Sequence, residues 1–407
     1  MTHDREASRS AEHHFLIRCA EMLHIYGTPA HRLERVMVTV AKSLGVEASF
    51  LYTPTSIFAS FGKLPNEETH LLRTAPGDLD LGKLVEFDEL MESVESGRTD
   101  VDAALIQLDE ICKAPPRWNS WWCALAFGLV SAGAARFFEG GLADIVLSFL
   151  LGPLLLLLGR VLPARHPDVA LFEPIAAFSA AMIALLAARY SSFAIDDRVV
   201  ILSTLIILLP GLSMTTAMTE LATRHLVSGV ARFAGAAVVF LTILLGVALA
   251  WRMGSGPVAT AELVSTPLPD WTLWIAVAIT PLAFAIILKA RARELGIIYV
   301  TSVAGFGASY AAAQQLGSDL SPFIGALVVG VIANLYARVA NRPALVPLTP
   351  GILLLVPGSL GYRSLTSFLG RDALEGMDWA FQTGLVGVAL VGGTLVAGLI
   401  LPPRRIL

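Results

Sequence analysis

LLPGLSMTTAMTEL (208–221) and LVPGSLGYRSLTSF (355–368) each set a Pro-Gly pair inside a long apolar run. Aligning them lays Pro210-Gly211 over Pro357-Gly358, 147 residues apart. Proline removes a backbone donor and clashes with the preceding turn, and glycine lets the chain leave helical geometry. In lipid an unpaired backbone group costs several kcal/mol, so a broken helix persists only where it is buried or lines a cavity. Around the pairs lie runs of about the 20 apolar residues that a bilayer demands. Uncharged stretches fall at 118–135, 145–159, 174–188, 199–219 and 233–251, then at 271–288, 295–318, 320–337, 343–362 and 379–403.

Composition points the same way. Of 407 residues 55% are apolar and 15% charged, with a mean hydropathy of +0.68. Average soluble domains carry about 25% charged residues, so an ordinary soluble enzyme, a disordered chain and a nucleic-acid binder are all excluded. Ten such helices buried in a soluble protein would leave almost no polar surface. The charge is uneven: residues 1–112 hold 10 Lys/Arg against 19 Asp/Glu, while the remainder is net positive. A small acidic domain therefore precedes a membrane domain. The expected division is a disordered lead over 1–12, a cytoplasmic α+β domain over 13–116, and two membrane halves over 117–252 and 253–407. Three cysteines, Cys19, Cys112 and Cys123, give neither a disulfide framework nor metal-ligand spacing. The polar start, with no apolar core of signal-peptide length after it, places the first domain in the cytoplasm.

With that domain inside, thirteen Lys/Arg flank the inner ends of the spans and six the outer ends, which sets both termini in the cytoplasm. Trp121 and Trp271 open the two halves near the same offset. Five spans per half force the second half to enter from the opposite face, giving inverted repeats, an arrangement typical of secondary transporters, and paired helix breaks point to a substrate site near the midplane. The candidate substrate-binding residues are Pro210, Gly211, Ser213, Thr216, Pro357, Gly358, Ser359 and Arg363, with Arg363 as carboxylate partner of a small zwitterion. Glu220 is the candidate for proton coupling, because an ionisable group inside a membrane is costly and seldom idle. Asp144 and Glu173 sit at span starts, where a helix N-terminus favours an acid. Small residues at Gly128, Ser131, Ala135, Gly325 and Gly330 suit close helix packing.

The N-terminal region reads as a helical hairpin over 13–44, two short strands about Pro54, a third strand at THLLRT, and helices near 84–96 and 100–113. Gly27 ends the first helix, Thr28 caps the second and Pro29 opens it; Thr99 caps the helix that follows it. Cys19, His24 and His31 contain the pieces of a nucleophile–base pair, without a nucleophile elbow or phosphate loop to frame them. His31 and Glu34 share a helix face.

YGTPAHRLERVM (26–37), the first Pro-Gly segment and PLTPGILLLVPGSLGYRSL (347–365) resemble the threonine/serine exporter (ThrE) family, to which the fungal pheromone-regulated membrane proteins belong. The likeness runs from about residue 13 to the end. It implies a ten-span inner-membrane exporter of threonine and serine, driven by the proton gradient with no other cofactor, working in a lipid bilayer and not as an enzyme. Association of identical chains is compatible with this. Some relatives split into two chains look like dicarboxylate exporters, and a hydrolase-like role has been suggested for the N-terminal domain; a dicarboxylate carrier and a membrane-anchored enzyme are the alternatives. The family motif matches at Gly27, Pro29, Arg32 and Glu34, alongside His31. Ala30 stands where the family carries a hydroxyl.

Overall fold

The computed structural model describes residues 2–63, 65–75, 77–165, 171–254, 268–356, 358–369 and 372–403. The N-terminal part holds α1 (Thr2–Ile25), α2 (Ala30–Ser43), β1 (Ala48–Thr53), β2 (Ser56–Phe61), β3 (Glu68–Arg73), α3 (Leu81–Glu95) and α4 (Val101–Lys113). The strands form one antiparallel sheet in the order β1-β2-β3, with Ile57 opposite both Tyr52 and Leu72. On β2 the alternate residues Ile57, Ala59 and Phe61 are buried, the period-two pattern of a half-buried strand. Helix α1 begins at Thr2, where a disordered lead was expected; its opening turns carry Arg, Glu and Ala, which favour helix.

Gly27 ends α1 as expected, at φ +89°. Its N–H donates to His24 O and that of Thr28 to Leu23 O, closing the helix end. Two capping expectations fail. Pro29, not Thr28, takes the capping position of α2, and among the described residues the buried Thr28 hydroxyl has no partner. In α4 the capping position belongs to Asp100 rather than Thr99. The core gathers Phe15, Leu23, Leu33, Met37, Ile57 and Phe87, then continues into Leu288, Ile298 and Val346. Packing thus crosses the expected boundary at 116.

The remaining helices are α5 (Ser120–Phe137), α6 (Leu142–Arg165), α7 (Phe172–Tyr190), α8 (Asp197–Leu205), α9 (Gly211–Ala222), α10 (Leu226–Gly254), α11 (Trp271–Ile287), α12 (Leu295–Val339), α13 (Leu345–Leu353), α14 (Gly358–Leu369) and α15 (Ala373–Ile400). Among the described residues, six stretches are long and apolar enough to cross a membrane: Leu142–Leu162, Phe172–Tyr190, Leu226–Gly254, Ala292–Val339, Leu345–Ser364 and Ala373–Ile400. The ten expected spans map onto these and onto shorter helices. The span over 199–219 is split into α8 and α9. Those over 295–318 and 320–337 merge in α12, a 45-residue helix interrupted by Gly317 at φ 76°, ψ 170°. This is a polytopic membrane protein.

Glycines set the helix contacts. A Cβ on Gly128 would lie 2.8 Å from Phe149 O, one on Gly246 2.3 Å from Pro174 O, and one on Gly393 2.3 Å from Phe323 O. Backbones therefore touch where α5 meets α6, α7 meets α10, and α12 meets α15, as small-residue packing in lipid requires. One face of the bundle carries the N-terminal part: Leu81 N–H donates to Leu288 O at 3.0 Å, and Ser228 Oγ to Tyr52 O at 2.9 Å. On the same face Glu89 pairs with Arg291 and Arg293, each at 3.0 Å, and with Arg342. Helices α5 and α10 start here and run away from it, so their ends at Phe138 and Trp251 mark the far face. There Asp144 accepts from Gly141 N–H and Asp196 N–H, both at 2.8 Å, the role expected of an acid at a helix start.

Candidate functional site

The two helix breaks meet. Helix α8 stops at Leu205, the chain turns through Pro210 at φ −79°, ψ 39°, and α9 starts at Gly211. Helix α13 stops at Leu353 and α14 starts at Gly358; Pro357 lies outside the described residues. A Cβ on Gly211 would sit 3.4 Å from Gly358 Cα and 2.2 Å from Val356 Cγ1. A Cβ on Gly358 would be 3.7 Å from Gly211 Cα. Two helix N-termini thus abut, each with its first N–H groups free of intrahelical partners and each the positive end of a dipole.

Beside this meeting point lies a cavity of about 480 Å³, lined by residues 206–213, Thr216, Val356, Gly358 and, from the N-terminal part, Gly27, Asp78 and Leu79. Ser213 and Thr216 face it from α9. Thr215 and Thr219 donate to carbonyls one turn back at 3.0 and 2.9 Å; among the described residues Ser213 and Thr216 make no such bond. Ser359 follows Gly358 in the first turn of α14. A smaller cavity of about 150 Å³ shares Thr216 and Gly27, adding Pro29, His31 and Arg32 on one side and Thr215, Thr219 and Thr349 on the other. The N-terminal motif, through Gly27, and the helix break, through Gly211, therefore line one cavity.

Glu220 explains how the motif is held. Its carboxylate, fully buried, accepts from Ala30 N–H at 3.0 Å and from Arg232 Nε and Nη2 at 3.1 and 3.2 Å. The cap that Thr28 fails to give α2 comes from the membrane part, where a carboxylate meets both a helix N-terminus and a guanidinium. Glu34, one turn into α2, accepts from Tyr52 N–H at 3.1 Å and lies 3.2 Å from His225 Nε2. Along α9 Glu220 stands nine residues from Gly211, about 13 Å at 1.5 Å per residue. The proton-coupling candidate thus sits at the junction with the N-terminal part rather than at the break.

Burial sets the charges of the motif. The His31 imidazole is pushed down to about 3, first by burial and then by Arg32, so it is neutral at physiological pH. Burial lowers Arg32 to about 10, helped by Arg35, leaving it protonated. Burial raises Glu34, opposed by His225. The nucleophile–base reading finds little support: Cys19 is 2% exposed, and burial pushes its thiol far above the usual range, so no thiolate forms at neutral pH.

Arg363 is not with the other candidates. It lines a third cavity, of about 450 Å³, on the far face. His225 and Arg232 escaped the sequence reading. Arg232 meets Glu220 across the turn from α9 into α10, and the partner of His225, Glu34 on α2, is 191 residues away in sequence.

A polytopic bundle whose two helix breaks meet beside a hydroxyl-lined cavity is the class of membrane protein that the fold defines. Residues 14–254 match the family described as "Putative threonine/serine exporter" and residues 273–400 that described as "Threonine/Serine exporter, ThrE". The chain belongs to the threonine/serine exporter family. It is similar to pheromone-regulated membrane protein 10 of Debaryomyces hansenii, at 29% identity over 86% of this chain and 36% of the relative. The protein of that name in Candida albicans SC5314 is 29% identical over 94% of this chain and 35% of its own length. That in Saccharomyces cerevisiae is 24% identical, over 86% and 47%. The chain spans about a third to a half of the length of these relatives. No solved structure matches it.

Proposed function

We propose that the chain is a secondary-active exporter of threonine and serine, driven by the proton gradient. Its ten spans would form two inverted five-helix sets in a cell membrane, with the N-terminal part and both termini in the cytoplasm. The observation that carries this is the contact of Gly211 with Gly358 beside a cavity that reaches the N-terminal motif. Two helix N-termini suit the carboxylate of an amino acid, and Ser213, Thr216 and Ser359 suit its hydroxyl and ammonium groups. The arrangement of parts supports the inverted sets: α8–α9 precedes the long α10 as α13–α14 precedes the long α15, while α11 opens the second set as α5 opens the first. Glu220 is the coupling residue in this reading. A proton on it would weaken both the Arg232 pair and the α2 cap, joining proton uptake to movement of the motif over the cavity.

The test is efflux from cells preloaded with labelled threonine, serine or succinate, with and without a protonophore. Threonine or serine efflux that collapses with the gradient supports the proposal. Succinate efflux alone keeps the architecture and moves the substrate to dicarboxylates, and no efflux of any of the three refutes it.

A further inference from the structure

The third cavity is enclosed by elements that converge only on the far face: the ends of α5 and α10, the start of α8, the second half of α14 and the start of α15. Arg363 lies five residues beyond Gly358, about 7.5 Å further along α14, so this space is separate from the one at the break. Its guanidinium carbon stands 5.8 Å from the Phe138 ring centroid and 5.2 Å from that of Trp379. Two aromatic faces therefore fix the group by cation–π contact. Arg198 joins it in the wall. Among the described residues no carboxylate lies within ion-pair distance of either guanidinium.

The acidic side of the cavity is equally fixed. Glu375 accepts from Ser367 Oγ at 3.1 Å and from Trp379 Nε1 at 3.3 Å, and Asp372 accepts from Glu375 N–H at 3.1 Å. A space of this size with an uncommitted planar fork on one wall and two held carboxylates on the other matches an α-amino acid in its zwitterionic form. The α-carboxylate meets Arg363 through two N–H donors, and the ammonium turns to Asp372 and Glu375. We infer that the cavity around Arg363 and Trp379 is a second amino-acid site, on the face opposite the N-terminal part, distinct from the one at the helix breaks. It rests on the proposed function for its substrate, and in that setting it is where a substrate released from the break halts before leaving, or where external amino acid binds.

The two-site reading is tested by counting. Labelled threonine is titrated onto the purified full chain in nanodiscs, as wild type, Arg363→Gln, Thr216→Val and the double variant, each checked for native helicity and thermal transition. The expected result is two threonines per wild-type chain, one in each single variant and none in the double. Tryptophan fluorescence locates the second site: threonine shifts the emission of wild type and Thr216→Val, while threonine methyl ester, which lacks the carboxylate, does not. The shift is absent from Arg363→Gln, and Arg363→Lys binds about tenfold more weakly at this site alone. No bound threonine, or a stoichiometry unmoved by Arg363→Gln, overturns the inference. If Arg363→Gln lowers the count and Thr216→Val does not, the second site stands and the break site of the proposed function fails.

Discussion

His24 shows what a single side chain contributes to the pH behaviour of the molecule. It is 2% exposed and packs edge-on against Tyr52 with centroids 4.8 Å apart. Burial, and next the charge of Arg232, push it down to about 4 from an ordinary 6.5. Between those values the unfolded chain holds a proton that the folded chain does not. Stability is therefore full above about pH 6.5 and falls as the pH drops towards 4, by up to on the order of 3 kcal/mol. His31, pushed down to about 3, extends the loss to lower pH. Replacing His24 by phenylalanine keeps the packing and removes the titration. His24→Phe is expected to flatten the acid limb of stability, measured by hydrogen exchange of α1 between pH 4 and 7 in the full chain, and an unchanged limb would assign the loss to other groups. The hydroxyl at Thr216 is the corresponding residue at the break: Thr216→Val should abolish measurable threonine efflux with expression unchanged.

At the scale of elements, the breaks are legible in sequence because proline and glycine act locally. Pro210-Gly211 predicts an interruption whatever surrounds it, and the structure places one there between α8 and α9. The three strands and the hairpin were legible for the same reason, since alternation and a glycine stop are properties of a few neighbouring residues. What the sequence could not show is where the open helix ends find partners. Thr28 reads as a cap because threonine often caps, yet the donor on Ala30 goes to Glu220, 190 residues on. Arg363 likewise reads as part of the break, being five residues from Gly358, but the direction of α14 carries it to a different cavity. The abutment itself makes a sharp prediction. A methyl group on Gly211 would meet Val356 Cγ1 at 2.2 Å, and valine is stiff about χ1 and cannot swing aside. Gly211→Ala should therefore cut efflux by about tenfold, equivalent to about 1.4 kcal/mol, and adding Val356→Ala should restore much of it. Efflux unaffected by Gly211→Ala would mean that the two helix starts do not meet in the working protein. Glu220→Gln removes the charge that meets both Arg232 and α2; it should abolish uphill efflux while leaving exchange across the membrane, and persisting gradient-driven export would exclude Glu220 from coupling.

The whole molecule places its cavities in series. The N-terminal motif borders the two that touch the helix break, and the Arg363 cavity lies on the opposite face. A carrier needs such a series, because a site near the middle must open to each side in turn. The N-terminal part is bound to the bundle at two charged clusters: Glu220, which holds both Arg232 and the Ala30 N–H, and Glu89 with Arg291, Arg293 and Arg342. Both lie on one face, so the motif can rise from the cavity only if these pairs loosen, and the polarity of the series follows from which side of the membrane that face occupies. In the proposed exporter this face is the cytoplasmic one, by its excess of basic residues. Two single cysteines read this out in a chain whose Cys19, Cys112 and Cys123 have been replaced. Ser213→Cys lines the break cavity and Ser367→Cys the far one. A membrane-impermeant maleimide added to intact cells should label Ser367→Cys, and added to inside-out vesicles it should label Ser213→Cys, more slowly when threonine is present. The reverse pattern would invert the protein in the membrane and turn the proposed exporter into a molecule whose N-terminal part guards the outer entrance.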